Sequence, residues 1–266
     1  MLARAALTPS VQEWNARWDA PWGTAAAAGV GFKERLGAAE PAGYGPFAFQ
    51  NNNTTREFEW GWAWNATPLQ PGMNVVEVGG GLSGFQYALA QAGMRVTKVD
   101  TGEEDGAGRP ENPLTPANHA RLNAVFGTDV ALRQQPLADI ALEADSVDRV
   151  FCISTLEHFS TTALEALLPE VRRVLRPGGS LVLTVDLMLD LEPFTDVQGN
   201  EWGRNIDLHW VVERSGLKLG QGNPGELCGF PAFSPRHVEA ILEELVIGRG
   251  HPTLVQALVL EKAPFL

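Results

Sequence analysis

Glu77 stands two residues before three consecutive glycines, Gly79-Gly80-Gly81, and the run continues Leu82-Ser83-Gly84. Such glycines let a backbone turn sharply and approach a ligand with no Cβ in the way. Taken alone, G-x-G-x-x-G is also the dinucleotide fingerprint, with Asp100 at a distance suited to a ribose. The acid in the preceding strand points elsewhere. Glu77 suits the ammonium end of a cationic ligand, reached through the loop amides or a water, and would be unhelpful beside a pyrophosphate. Further along the chain, His158, Asp186 and His209 are side chains that can take a proton from a reacting group.

These residues need a scaffold, and the chain alternates strand and helix around them. Asn74–Val78 reads as a buried strand ending in the glycines, Phe85–Gln91 as a helix closed by Gly93, and Arg95–Asp100 as a second strand. A loop rich in Gly, Pro and acids is expected over 102–116, then a helix over Pro116–Phe126 and a third strand over Asp129–Arg133. A fourth strand spans Val147–Ser154. The following helix opens at Thr162-Ala-Leu-Glu165, with Pro169 as its kink, and runs to Leu175. A turn at Arg176-Pro177-Gly178-Gly179 leads into strand Ser180–Asp186. Helix Ile206–Ser215, strand Leu217–Gln221, a helix near Pro235–Leu245 and strand Thr253–Glu261 complete the series. This alternation implies an α/β fold with a mostly parallel sheet covered on both faces. Ligands in such sheets bind beyond the carboxyl ends of the strands.

Residues 1–72 differ in character and hold six of the eight tryptophans. A helix is expected to open at Thr8 or Ser10, where Pro9 suits a first turn and Ser10 to Glu13 has capping-box spacing. Trp14 and Trp18 then share one face. Residues 41–46 read as turns and 51–55 as loop. The alternation of Trp60, Trp62 and Trp64 predicts a short strand or an extended lid. Two readings of this segment stay open: aromatic packing, or a lid over an apolar acceptor pocket.

The chain has 266 residues, 44% of them hydrophobic, which suffices for one α/β domain plus an additional segment. Its formal charge of -12 repels phosphate backbones and anionic membranes, so neither nucleic acid nor membrane is an expected partner. Arg172, Arg173 and Arg176 read as a solvated helix face. Cys152 and Cys228 have no paired spacing, which fits a reducing cytoplasm without a disulfide framework or zinc knuckle. The N-terminal residues are too weakly apolar for a signal peptide, and no run approaches the ~18 apolar residues of a membrane span. The expected location is cytoplasmic.

Several ordered motifs together resemble the class I S-adenosylmethionine-dependent methyltransferases. Glu77-Val-Gly-Gly-Gly-Leu-Ser resembles their first motif, with Ser83 replacing the last glycine. Val147-Asp148-Arg-Val with Ser154-Thr-Leu-Glu157-His158-Phe is similar to their fourth-strand region. Val171-Arg-Arg-Val-Leu-Arg-Pro177-Gly178-Gly179-Ser-Leu-Val-Leu resembles the block leading into their fifth strand. The resemblance covers residues 73–186, and more weakly 206–221 and 253–262. It implies a Rossmann-like, seven-stranded sheet in a domain over 73–266, with residues 1–72 as a tryptophan-rich cap, and S-adenosyl-L-methionine as cofactor. By the same resemblance Glu77 and the backbone of Gly79, Gly80 and Gly81 hold the methionine part, and Asp100 bonds the ribose. Ile153 and Ser154 line the cofactor with backbone groups. Where the family places an acid after the third strand, this chain has Gln135-Pro136-Leu137, which leaves the adenine amine to the backbone there or to Asp139.

Methyl transfer needs alignment more than chemistry from the protein, because the sulfonium is already activated. An alcohol or phenol acceptor also benefits from a base, and His158, Asp186 and His209 are the candidates beyond the strand ends. Glu157-His158 resembles the end of the Glu-x-x-Glu-His metal motif of small-RNA 3′-end methyltransferases and some quinone-pathway O-methyltransferases. Ser154 stands where the first Glu would be, so no metal is expected. The expected activity is methylation of a small molecule, on oxygen more than nitrogen. The alternatives are a protein or peptide acceptor, or a cofactor-binding protein without chemistry.

Overall fold

The computed structural model describes residues 1–102, 114–249 and 251–264. Helix α1, Pro9–Trp18, is capped by Thr8, whose hydroxyl accepts from the Val11 amide at 3.4 Å, so the helix opens at the earlier of the two expected positions. A short helix α2, Phe32–Gly37, and two 3-10 turns over Pro41–Phe49 follow. Trp60, Trp62 and Trp64 then lie on a helix, α3, Arg56–Asn65, and the expected strand is not formed. The reason is that α3 is packed on several sides. Trp60 and Trp64 meet Phe85, Trp64 also meets Trp14, and Trp62 packs with Leu2, Val255 and Ala257. Apolar residues all round a helix blur its 3.6-residue period into apparent alternation.

The rest alternates as the sequence implied: β1 Asn74–Val78, α4 Gly84–Gln91, β2 Arg95–Val99, α5 Pro116–Phe126, β3 Ala131–Arg133, β4 Val147–Ile153, α6 Thr161–Val174, β5 Leu175–Met188, α7 Leu208–Ser215, β6 Lys218–Gln221, α8 Pro235–Ala240 and β7 Thr253–Glu261. Most of the loop expected over 102–116 lies outside the described residues. Helix α6 begins earlier than expected because Ser160, not Thr162, supplies the cap, accepting from the Ala163 amide at 3.2 Å. Extended backbone already begins at Leu175, upstream of the expected turn; Gly178 within it has φ +76°.

The seven strands form one sheet in the order β3-β2-β1-β4-β5-β7-β6. Pairings from β3 to β5 are parallel, while β7 runs antiparallel to both its neighbours. Alternate strand residues serve opposite faces. Val76, Val78, Val150 and Cys152 pack with α6 and α7, through Leu164, Leu168, Val171 and Val211. Val75, Phe151 and Ile153 pack with α4, α5 and the N-terminal aromatics Trp14, Trp18, Phe47 and Trp60. The tryptophan-rich segment is therefore part of the core on one face of the sheet. Trp22 is the exception, 49% exposed.

Candidate active site

The glycine loop joins β1 to α4, and Gly79, Gly80 and Gly81 have φ of +71°, +84° and +57°. L-residues rarely adopt such values, so the run of three follows from the path of the chain. A Cβ at Gly79 would overlap the Thr155 side chain, and one at Gly80 would lie 3.3 Å from both Glu77 and Lys98. Beneath the loop Glu77 is fully engaged by the protein. Its Oε1 accepts from the Ser83 hydroxyl at 2.8 Å, and its Oε2 lies 3.3 Å from Lys98 Nζ. Lys98, opposite Glu77 on β2 and buried, also donates to the Gly79 carbonyl. Burial raises the Glu77 carboxyl above the ordinary glutamate value, against the pull of Lys98 and Ser83. Glu77 thus acts on the loop by fixing its underside.

Asp100 follows β2 and fixes the loop from the side, Oδ2 accepting from the Gly81 amide at 2.9 Å and Oδ1 from the Gly102 amide at 3.0 Å. At the end of β3, Pro136 is exposed while the Leu137 side chain is buried in the core. Only backbone of Leu137 is left to face a ligand. Ile153 is in the same position: its side chain belongs to the aromatic-lined core, and its carbonyl accepts from Thr155 Oγ1 at 3.0 Å.

At the carboxyl ends of β4 and β5 the site is built from side chains. Ser154, with φ +41°, donates its backbone N–H to the Thr184 carbonyl at 2.8 Å. Its hydroxyl lies 2.6 Å from Glu59 Oε2 and 3.1 Å from Asp186 Oδ1, and Arg56 donates to the same oxygen at 2.7 Å. Glu59 also takes the Thr184 hydroxyl at 2.7 Å and pairs with Arg56. Burial works to raise the Glu59 carboxyl, but Arg56 and the hydroxyls outweigh it, and the net shift is downward. Asp186 is pushed up to about 6, by burial first and by Glu59 in addition, against Arg56 and Ser154. Glu157 accepts from the Asp186 amide through Oε1 at 3.3 Å, and its buried Oε2 has no hydrogen-bond partner among the described residues. Burial, then Asp186, hold the Glu157 carboxyl well above its ordinary value. The result is three buried carboxyl groups around one guanidinium.

Of the three acid–base candidates, the structure places Asp186 inside this cluster. His158 lies one residue beyond Glu157 on the exposed side of the same turn. His209 sits on the first turn of α7, edge-on to Phe230 and 3.9 Å from Glu213. Sequence reasoning missed Lys98, Arg56 and Glu59. A lysine between Thr97 and Val99 in a buried strand was a legible signal, because an ammonium there requires a carboxylate across the ladder. Arg56 and Glu59 pair locally, but nothing near them marked Ser154 and Thr184, about a hundred residues away, as their other partners. Two surface hollows of about 380 and 460 Å³, reached by Asn74 and Arg95 in one case and Arg149 and Ser180 in the other, lie at the amino ends of the strands, away from this chemistry. Among the described residues no group of three His, Cys, Asp or Glu is arranged to hold a metal ion.

Residues 76–183 match the family model of the methyltransferase domain. A curated relative, the ubiquinone biosynthesis O-methyltransferase of Hahella chejuensis, is 31% identical over 113 residues. Over residues 76–183 the chain is thus similar to a methyltransferase domain. The match to the curated relative spans 42% of each chain, less than half of either protein. Solved structures extend the likeness of fold beyond those residues. The [4+2]-cyclase SpnF aligns with a TM-score of 0.56 at 14% identity, over 77% of this chain and 80% of its own. An S-adenosylmethionine-dependent methyltransferase from Mesorhizobium loti aligns at 0.52 and 17%, over 77% and 97%. Phosphoethanolamine N-methyltransferase 2 of Haemonchus contortus, in complex with S-adenosyl-L-methionine, aligns at 0.51 and 16%, over 89% and 61%. At these identities the likeness is one of fold.

Proposed function

We propose that the protein transfers a methyl group from S-adenosylmethionine to a small-molecule acceptor, on oxygen in preference to nitrogen. The observation that carries the choice of oxygen is Asp186, a buried carboxyl held near 6 at the ends of β4 and β5. A group titrating there is ionised at neutral pH and still basic enough to take a proton as it is released. The name of the Hahella relative, an O-methyltransferase, agrees with this reading. The three left-handed glycines and the Asp100 carboxylate fit a cofactor that needs close backbone approach and an acceptor for ribose hydroxyls. When bound, S-adenosylmethionine supplies a methyl group already activated on a sulfonium. The chain's own contribution is to align and to move one proton. Asp186 would take the proton that an acceptor hydroxyl gives up as it accepts that methyl group. Ser154 holds Asp186 in place through their 3.1 Å hydrogen bond. His158 and His209 stand second, since each lies outside the buried cluster. A net charge of -12 favours a small acceptor over nucleic acid.

Labelled S-adenosylmethionine incubated with cell extract and fractionated by size is the direct test. Label should appear in the small-molecule fraction; label confined to protein would replace this reading with a peptide acceptor. Asp186→Asn should lower turnover by about 10²-fold or more, the usual contribution of a positioned base, at unchanged S-adenosylhomocysteine affinity. The wild-type rate should rise through pH ~6 as Asp186 ionises, and the variant should lose that limb.

A further inference from the structure

The side of the glycine loop facing the cap segment presents one polar group that the protein does not use. Gln50 follows the 3-10 turn Pro46–Phe49, and its Oε1 is buried with no hydrogen-bond partner among the described residues. That oxygen lies over Gly81, where a built Cβ would meet it at 3.1 Å; among the described residues no other side chain approaches that side of the residue within 4 Å. Gly81 itself offers it no donor. The Gly81 amide is given to Asp100 at 2.9 Å, and the Gly81 carbonyl receives the Gln86 amide at 3.2 Å. Gln50 is not there by slack in the chain. Phe47 packs so closely on α4 that a Cβ at Gly84 would come within 2.6 Å of its ring, and Arg35 donates to the Ala48 carbonyl. On the far side, the Asn52 amide donates to the Pro21 carbonyl at 2.5 Å. The segment is anchored at both ends, and it holds an acceptor oxygen against the bare face of a glycine.

We propose that Gln50 is a cofactor-binding residue, its side-chain oxygen accepting a hydrogen bond from S-adenosylmethionine or S-adenosylhomocysteine bound on the loop. A buried amide oxygen without a donor is costly, and a ligand bearing donors removes that cost. The donors on that ligand are the methionyl ammonium, the ribose hydroxyls and the adenine amine. The cap segment then forms one wall of the cofactor site as well as covering the sheet. This inference rests on the cofactor assignment above, which wild-type binding tests separately.

Calorimetry with S-adenosylhomocysteine on the full chain reads it out, beside thermal melting of each variant. Wild-type protein should bind; failure there would defeat the cofactor assignment itself. Gln50→Leu should weaken binding by about tenfold with a melting temperature equal to or above wild type, since a hydrogen bond is lost only in the complex. Gln50→Glu keeps an acceptor oxygen and should bind within about threefold of wild type. 5′-Methylthioadenosine, which lacks the amino-acid end, separates the donors: if Gln50→Leu weakens it equally the donor lies on the nucleoside, and if it is spared the ammonium is the donor. Unchanged S-adenosylhomocysteine affinity in Gln50→Leu overturns the proposal, as does equal loss in Leu and Glu variants, which would mean that shape and not the acceptor oxygen matters.

Discussion

At the glycine loop the contacts are local: Gly79 to Ser83, Glu77 below, Lys98 and Asp100 from the next strand, all within 24 residues of one another. At the ends of β4 and β5 they are distant, with Arg56 and Glu59 arriving from α3 to meet Ser154 and Thr184 across sequence separations of 98 and 125. The first region balances charge within itself, one lysine lying between two acids. The second leaves three carboxyls to one arginine and raises two of them. A binding loop can be specified by a short motif because backbone does the work. A cluster assembled from distant side chains depends on α3 being in place.

Removing residues 1–40 presses hardest on that difference. It strips Trp14, Trp18, Ala27 and Leu36 from the core, and truncating even one buried tryptophan costs about 3–5 kcal/mol against a typical total of about 5–15. The shortened chain should lose its cooperative melting transition. If it melts near the full-length temperature, the cap is a detachable lid and the packing account fails. Arg56→Met is the next largest. It strands Glu59 buried among Ser154 and Thr184, and breaking such a pair costs about 3–5 kcal/mol by urea unfolding. The double variant Arg56→Met with Glu59→Gln should recover much of this loss. Should the single variant be as stable as wild type, the arginine is not what balances the cluster.

The smallest effect is one of sign. Asp186 titrates near 6 in the folded protein against an ordinary 3.8, so the folded state binds its proton more tightly than the unfolded state. Its contribution to stability is therefore favourable at low pH and is lost as pH rises from about 4 through 6. Asp186→Asn should melt a few degrees above wild type at pH 8, with the gain vanishing near pH 4. A gain that is the same at both pH values would tie it to shape and not to charge.

The same division decided what could be read from the sequence. The strand–glycine–helix unit, the third to fifth strands and β7 carry their periodicity and turn residues locally, and the structure has them within a few residues of the expected bounds. Glu77 and Asp100 were legible as residues of the loop, though the Ser83 contact that occupies Glu77 was not, and the signal that Lys98 offered went unread. The cap was misread where tertiary contacts override local pattern. Trp60, Trp62 and Trp64 face different neighbours around one helix, and alternation was the wrong period to draw from them. Arg56 and Glu59 carry no local mark of the cluster they enter. Only folding brings them against β4 and β5.

The position of β7 has a consequence for how the molecule is made. It leaves the ribosome after β5 and β6, yet lies between them, and β6 has no other neighbour in the sheet. Leu2, far upstream in the chain, also waits for it, donating to the Val255 carbonyl at 2.8 Å. Until Thr253–Glu261 emerges, the nascent chain carries an open edge along Leu181–Met188, a run of mostly apolar residues able to pair with another strand. A chain stopped short of Thr253 would keep that edge, with its glycine loop intact and its sheet an invitation to aggregate.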